Sequence, residues 1–325
     1  MSIIIKFVKS YAMSFAVPVL LIGLLLLISP ESRSWTAIES LLKQGFAPAI
    51  LGWGVLFNMK AGNWDFSIGA RIVLAAIIAG NLSVGYGLGI AGFVVLSIVI
   101  SLILGVIVGG AYRLLNIPSL IVSIGLMLIF ESFTRIIYDG TGVHFDATYM
   151  VLGTSPFNLI MFVICFALAT ILYYKRKYGY NVRAVGSNPT VAQTNGINAA
   201  KTKAVALVIS GLFAGLYAVL NTSTTGVVSA VAGTMGSAAT VFDAMMCVLI
   251  GMAICGKGSI IFAIYAGAIS TQIMKMGMMA IGLPTTYNKV VIGLFVVIFM
   301  VMSSRSDLLK TIAGKLRPRK TVAEE

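Results

Sequence analysis

The sequence predicts an all-α integral membrane protein that crosses the bilayer about ten times and keeps its N- and C-termini in the cytoplasm. Of its 325 residues, 59% are hydrophobic and only 10% are charged, and the mean hydropathy is +1.00. Soluble domains carry about 25% charged residues. Several apolar runs approach the ~20 residues that a helix needs to cross a bilayer, and most lysines and arginines fall between these runs.

The apolar runs define ten predicted spans. The first follows Lys6 and Lys9, but no small-x-small cleavage site comes after it, so we interpret it as a retained helix and not as a signal peptide. The second and eighth spans are short, which predicts tilted or broken helices. The spans cover about 11–29, 44–59, 64–84, 88–111, 116–138, 156–174, 204–221, 240–254, 259–280 and 287–303.

The distribution of basic residues sets the orientation of these spans. The loop 139–154 has no lysine or arginine and the loop 30–43 has balanced charges, so we place both outside. The segment 175–203 and the tail 305–325 are rich in basic residues, so we place both in the cytoplasm. We therefore expect a single transmembrane domain over residues 1–304, followed by the basic tail.

Several other functions receive no support from the residues. Although the net charge is +13, the basic residues are not interleaved with aromatic residues on a soluble face, so nucleic acid is not an expected partner. His144 is the only histidine, and its spacing from Asp139 and Asp146 fits no compact metal motif. The sequence shows no nucleophile–base–acid pattern, so we expect no catalytic residue and no metal.

One glycine-rich segment is similar to a phosphate-binding loop but departs from that motif. The stretch "GMAICGKGS" at 251–259 has Gly258 where the motif requires serine or threonine, and an apolar span precedes it in place of a strand–loop–helix unit. We therefore expect this chain to bind no ATP and no other cofactor.

A polar, basic segment interrupts the apolar chain near its middle and contains a short predicted helix. Asn188 suits the N-cap, Pro189 suits the first helical position, and Gly196 suits the stop after Asn195. A helix of about two turns is not stable alone in water. Two interpretations remain open: a solvated loop that sets topology, or a docking element for a soluble subunit.

Six segments, in this order and spacing, resemble the ribose-type ABC transporter permeases, which serve ribose, xylose, galactosides and autoinducer-2. Branched-chain amino-acid permeases are their distant relatives. The segments are "LLKQGF" at 41–46, "GNWDFSIGA" at 62–70, "NIPSLIVSIGLMLIFES" at 116–132, "RAVGSNPTVAQTNGIN" at 183–198, "ISGLFAGLYAVL" at 209–220, and "FDAMMCVLIG" at 242–251 with "GKGS" at 256–259.

The resemblance implies the membrane subunit of an importer in the bacterial plasma membrane, translocating a small polar solute such as a sugar or nucleoside. It implies a second permease subunit, an extracytoplasmic solute-binding protein, and a cytoplasmic ATPase subunit that carries the ATP and Mg. Trp64, Phe66, Met252 and Lys257 depart from the family pattern in or near regions that shape the path, so these departures bear on which solute is carried. The residues expected to couple to the ATPase are Arg183, Gly186, Asn188, Pro189, Thr190, Ala192, Asn195 and Gly196.

Polar residues inside or beside the spans are candidates for the translocation path. Asp65 is a carboxylate at a span edge with Arg71 six residues on, which predicts an ion pair or a path role. Asp243 suits helix capping or the path. The remaining candidates are polar residues near a helix break or in the Ser/Thr-rich stretch after span seven, where small residues also suit helix packing. They are Asn58, Asn63, Ser67, Thr222 and Ser223.

Three further expectations concern charged residues and alternative functions. Glu131 and Arg135 are four residues apart, which predicts a salt bridge on one helix face, and Lys275 is expected to anchor at the outer interface. A branched-chain amino-acid permease remains an alternative. So does a gradient-driven secondary transporter, in which Asp65 or Glu131 would be the coupling carboxylate.

Overall fold

The structure, a computed structural model, is built almost wholly of α-helices. It describes residues 15–27, 33–255 and 258–284, together with the six positions 287, 290, 291, 293, 294 and 297. The tail 305–325 and most of the predicted span 287–303 lie outside the described residues. In chain order the helices are α1 Phe15–Leu27, α2 Trp35–Gln44, α3 Phe46–Lys60, α4 Ser67–Gly85, α5 Gly89–Leu115, α6 Ser119–Ile136, α7 Ala147–Met150, α8 Phe157–Thr170, α9 Lys177–Ser187, α10 Pro189–Thr194, α11 Ala199–Thr225, α12 Ala238–Ile254 and α13 Ile260–Ala280.

Six helices in the described part of the chain are long and apolar enough to cross a membrane. They are α4, α5, α6, α8 with its π-helical extension to Lys175, α11 and α13, whereas α1 and α12 are shorter apolar helices. Each coincides with a predicted span, which confirms the prediction of a multi-span helical membrane protein.

Two loops predicted to lie outside contain regular structure. The loop 30–43 includes most of α2. The Ser34 hydroxyl accepts a hydrogen bond from the Ala37 amide and caps this helix at its N-terminus. The loop 139–154 includes strand β1, Val143–His144, which pairs antiparallel with β2, Val227–Val228. This small ladder ties the loop to the end of α11.

Helix α3 forms the centre of the main core. Most of its side chains are buried, and the Trp53 indole nitrogen donates a hydrogen bond of 2.9 Å to the Ile261 carbonyl at the start of α13. Such an internal partner is needed for the indole N–H when a tryptophan is fully buried. Helix α3 therefore joins α13 and α11 in a single core.

Small residues allow α5 and α11 to pack closely along their length. A Cβ atom on Gly211 would lie 2.7 Å from the Ser101 carbonyl oxygen, and one on Gly109 would lie 2.8 Å from the Ala204 carbonyl oxygen. Ser101 also donates a hydrogen bond of 2.7 Å to the Gly211 carbonyl. Contacts of this kind are typical of helix pairs in membranes. Lipid tails are as apolar as the helices, so close packing and hydrogen bonds hold the helices together instead of hydrophobic burial.

The predicted salt bridge between Glu131 and Arg135 is wrong. The buried Glu131 carboxylate instead accepts hydrogen bonds from the amides of Met235 and Ser237 and from the Ser237 hydroxyl. Arg135 donates to the carbonyls of Val231 and Gly233. Backbone groups that lie away from water must find partners, so both side chains of α6 bind the segment that leads into α12 rather than each other.

Helix α12 begins inside the helix bundle. A Cβ atom on Gly69, in the first turn of α4, would lie 2.2 Å from the Ser237 carbonyl oxygen, which places the start of α12 directly against α4. Glu131 then supplies a negative charge at the positive end of the α12 dipole. This internal start explains why the span predicted at 240–254 is short.

The course of α11 separates two ends of the bundle. Its first residue, Ala199, follows α9 and α10, and Ala199 packs with Val185 and Ala192 of those helices. Tyr217 lies about 27 Å farther along the axis at the helical rise of 1.5 Å per residue. We call the end of the bundle that carries the polar, basic segment 175–203 the island end, and the opposite end the distal end.

Candidate functional site

A cavity of about 440 Å³ opens between helices toward the distal end of the bundle. Its volume falls within the range of ~300–1,000 Å³ that small-molecule sites occupy. The end of α2, the starts of α3 and α8, the last turns of α11, and α12 and α13 all contribute to its wall. Its polar lining comprises Ser40, Lys43, Gln44, Asn158, Tyr217, Asn221, Thr224, Thr240, Asp243, Thr271, Gln272 and Lys275.

Each lysine in this lining already has a carboxylate partner. Lys275 on α13 binds Asp243 on α12, with 2.7 Å between Nζ and Oδ2, and Lys43 binds Glu39 one turn away at 2.6 Å. The other polar groups of the wall are amides and hydroxyls. The described cavity wall therefore offers many neutral donors and acceptors but no unpaired lysine.

Asn158 contributes a polar group without a partner to the cavity wall. The residue is 8% exposed, and its Oδ1 accepts no hydrogen bond from the described residues. A buried polar atom left unpaired costs about 1–3 kcal/mol. Because this oxygen is also inaccessible to solvent, Asn158 places an unsatisfied acceptor just behind the cavity surface.

Of the predicted path residues, only Asp243 lines this cavity. Thr222 and Ser223 lie on the same helix as Asn221 and Thr224, but both are buried and their hydroxyls have no hydrogen-bond partner among the described residues. Asn63 lines a different cavity, of about 540 Å³, near the island end, where its Nδ2 donates to the Lys203 carbonyl. The structure thus does not bring these residues together.

The other three path candidates form a buried network around Asp65. The Asp65 carboxylate pairs with Arg71 and accepts hydrogen bonds from Asn58 Nδ2 at 3.2 Å and from the Ser67 hydroxyl at 2.6 Å. The side chains of Arg71 and Asp65 are 0% and 2% exposed. These contacts place the ion pair, predicted as one of two roles for Asp65, within the core.

Helix α11 provides the remaining partners of Arg71. The guanidinium donates to the Leu207 carbonyl and to the Ser210 hydroxyl, each at 3.1 Å, near the middle third of that helix. A Cβ atom on Gly105 would lie only 3.2 Å from Nη1 of Arg71, so glycine provides the room for the guanidinium. The network therefore joins α3, α4, α5 and α11 well inside the bundle.

The short helix predicted after Asn188 is confirmed as α10. The Asn188 side-chain oxygen accepts hydrogen bonds from the amides of Thr190 and Val191, at 3.0 and 3.1 Å, and Pro189 occupies the first turn. Asn195 follows as the C-cap. Gly196 has a φ of +77°, a conformation that favours glycine after a helix.

Helices α9 and α10 pack together and leave one face uncovered. Val185 and Ala192 are buried against Ala199, whereas Pro189, Thr190 and Val191 are exposed. The short helix thus obtains from α9 and α11 the tertiary support that it lacks alone. Its exposed face carries no charged side chain over residues 188–195.

Gly186 and Arg183 hold α9 against the rest of the bundle. A Cβ atom on Gly186 would lie 1.7 Å from the Lys60 carbonyl oxygen at the end of α3, so only glycine fits this contact. The Arg183 guanidinium lies 4.6–5.4 Å from the ring centroids of Tyr173, Tyr174 and Tyr180. Cation–π contacts of this geometry each contribute about 0.5–2 kcal/mol.

Most residues of the cavity wall are not among the polar residues that the sequence marks as path candidates. Lys275, expected to anchor at the interface, binds Asp243 instead. One signal was available: Gln272 and Lys275, and likewise Asn221 and Thr224, are three residues apart on apolar helices. Polar residues at this spacing share one helix face, which indicates a polar wall inside a membrane bundle.

Comparison with known proteins assigns this architecture to transport. A family model described as "Branched-chain amino acid transport system / permease component" matches residues 37–300. No solved structure matches the chain.

Several curated relatives match nearly the whole chain. The galactose/methyl galactoside import permease protein MglC of Salmonella typhimurium is 22% identical over 89% of this chain and 93% of the relative. The autoinducer 2 import system permease protein LsrC of Photorhabdus luminescens is 24% identical, over 88% and 87%. The D-allose transport system permease protein AlsC of Escherichia coli is 26% identical, over 82% and 83%.

Proposed function

This chain belongs to the family of permease components of branched-chain amino acid transport systems, and we propose that it imports a neutral, polyhydroxylated solute such as a sugar or nucleoside. It is a multi-pass permease subunit of the bacterial inner membrane, in keeping with its six long apolar helices. The relatives named for galactosides, autoinducer 2 and D-allose support import of a sugar-like solute.

The pairing of charges in the distal cavity favours a polyol over an amino acid as the solute. A branched-chain amino acid brings an ammonium and a carboxylate, each of which needs an unpaired opposite charge when it leaves water. Lys275 and Lys43 are already bound to carboxylates. The amides and hydroxyls of the wall instead match the hydroxyl groups of a neutral solute.

We expect an uptake screen to separate these two classes of solute. Cells that produce the transporter should accumulate at least one radiolabelled solute among D-ribose, D-galactose, D-allose and adenosine. Cells from which the permease gene has been deleted should lose that uptake but keep their uptake of L-leucine. Loss of leucine uptake with no change for the sugars or the nucleoside would contradict the proposal.

We also propose that the chain crosses the membrane about ten times, with both termini and the island end in the cytoplasm. The basic residues of 175–203 and 305–325 support this orientation. The distal cavity then faces the extracytoplasmic side, where a solute-binding protein would deliver its load. A second permease subunit would complete the path.

This topology predicts the side of the membrane from which a cysteine at each end of the bundle can be labelled. In a variant with Cys165, Cys247 and Cys255 replaced by serine, a cysteine introduced by Thr190→Cys should react with an impermeant maleimide only after the cells are opened. A cysteine introduced by Thr141→Cys, exposed near the distal end, should react in intact cells. The opposite pattern would overturn the orientation.

The uncovered face of α9 and α10 supports the proposal that a separate ATPase subunit docks there. Closure of two ATPase domains on ATP and Mg would push this segment, and Gly186 would transmit the movement through its contact with Lys60 to α3. Helix α3 reaches from that contact to the distal cavity, whose wall includes Phe46 and Leu51. A rigid helix of this kind links the two ends of the bundle mechanically.

A further inference from the structure

We infer that Asp243 and Lys275 together recognise two adjacent hydroxyl groups of the solute and so determine specificity. This inference rests on the proposed function and adds to it a chemical requirement, a vicinal diol. The pair spans α12 and α13 and lies in the wall of the distal cavity, where the two side chains approach to 2.7 Å.

The exposure of this pair distinguishes it from a structural ion pair. The side chains of Lys275 and Asp243 are 25% and 39% exposed, whereas those of Arg71 and Asp65 are 0% and 2% exposed. A solute in the cavity can therefore reach both members of the first pair. The Asp65 network, by contrast, is closed to any solute.

The pair also keeps unused hydrogen-bonding capacity. Lys275 has three N–H donors, of which one binds Asp243 Oδ2. Among the described residues, no hydrogen bond reaches the second carboxylate oxygen, Oδ1 of Asp243, and no other acceptor binds Lys275. One free acceptor and two free donors thus lie side by side at the cavity wall.

A vicinal diol is complementary to this arrangement. One hydroxyl can donate to Asp243 Oδ1 while its neighbour accepts from Lys275, and the ion pair stays intact. Hydrogen bonds to ionised groups are roughly twice as strong as those between neutral groups. An anionic solute would instead compete with Asp243 for Lys275, which disfavours sugar acids and sugar phosphates.

Packing of α12 on α13 does not depend on the ion pair. A Cβ atom on Gly267 would lie 2.4 Å from the Cys247 carbonyl oxygen, and one on Gly251 would lie 2.7 Å from the Cα of Ile264. These close backbone contacts hold the two helices along their length. The ion pair is therefore available for binding without being required for the helix interface.

The test compares how sugar affinity changes when one side chain is replaced, when one sugar hydroxyl is removed, and when both changes are made together. The permease, purified with its ATPase subunit in nanodiscs and without a solute-binding protein, is titrated by saturation-transfer NMR. The probes are D-ribose, D-galactose and D-allose, each beside its 2-deoxy and 3-deoxy analogues. The variants are Asp243→Asn, Lys275→Gln and the exchange Asp243→Lys with Lys275→Asp.

We expect the unmodified protein to bind one parent sugar about tenfold more tightly than a deoxy analogue, as the loss of one charge-assisted hydrogen bond implies. Asp243→Asn or Lys275→Gln should weaken binding of the parent sugar by a similar factor but should change binding of the deoxy analogue little. The exchange still places a free carboxylate oxygen beside free N–H donors, so it should recover part of the preference that the single variants lose.

If both single variants weakened binding of the parent sugar and of its deoxy analogue equally, the inference would be overturned. Equal effects would mean that the side chain and the sugar hydroxyl do not interact. Failure of the unmodified protein to bind any of the sugars would instead count against the proposed function.

Discussion

Replacing Arg71 by methionine is expected to destabilise the folded permease by about 3–5 kcal/mol, because the buried carboxylate of Asp65 would lose its only cationic partner among the described residues. The remaining hydrogen bonds from Asn58 and Ser67 cannot neutralise that charge. The measurement is the thermal unfolding transition of the purified protein in a mild detergent. A transition unchanged from that of the unmodified protein would contradict the assigned ion pair.

A double variant provides the control for this prediction. Asp65→Leu together with Arg71→Met removes both charges, and replacing a whole buried pair by apolar residues is often neutral or stabilising. We therefore expect the double variant to unfold at a higher temperature than Arg71→Met alone. Asp65→Asn should lower stability or impair gating but leave the ATPase bound, since the network lies inside the bundle and not on the face of α10.

Replacing Gly186 by valine is expected to abolish coupled transport while leaving the protein in the membrane. The new Cβ would lie 1.7 Å from the Lys60 carbonyl oxygen, a backbone atom that cannot rotate away, so α9 must separate from the end of α3. ATP-driven uptake should fall by at least tenfold in vesicles that contain normal amounts of permease.

Gly125→Val is the matched control for this variant. Gly125 lies within α6, and a Cβ atom there would meet no atom within 4 Å. Its replacement by valine should therefore leave uptake close to normal. Normal uptake by Gly186→Val would show that the contact with Lys60 does not transmit the movement of the ATPase.

The sequence predicted well those features that depend on neighbouring residues. Apolar runs located the long helices, and the order Asn188-Pro189 followed by Gly196 predicted α10 and its cap, because caps and stops involve hydrogen bonds within a few positions. The Asp65–Arg71 pair was also within reach, since six residues separate the two side chains.

Features that depend on distant helices could not be predicted in the same way. The spacing of Glu131 and Arg135 favoured a salt bridge, but the unpaired backbone of residues 231–237 offered both side chains stronger partners from a segment about a hundred residues away. The distal cavity combines residues from six helices. Only the packing of α12 against α13 brings Asp243 to Lys275.

The most direct test of the proposed mechanism is the energy source for uptake in proteoliposomes that contain the purified permease, its ATPase subunit and its solute-binding protein. We predict that a neutral sugar or nucleoside accumulates only when ATP and Mg are supplied to the ATPase side. Accumulation by the permease alone, driven by a proton or sodium gradient in the absence of ATP, would contradict it and identify a secondary transporter.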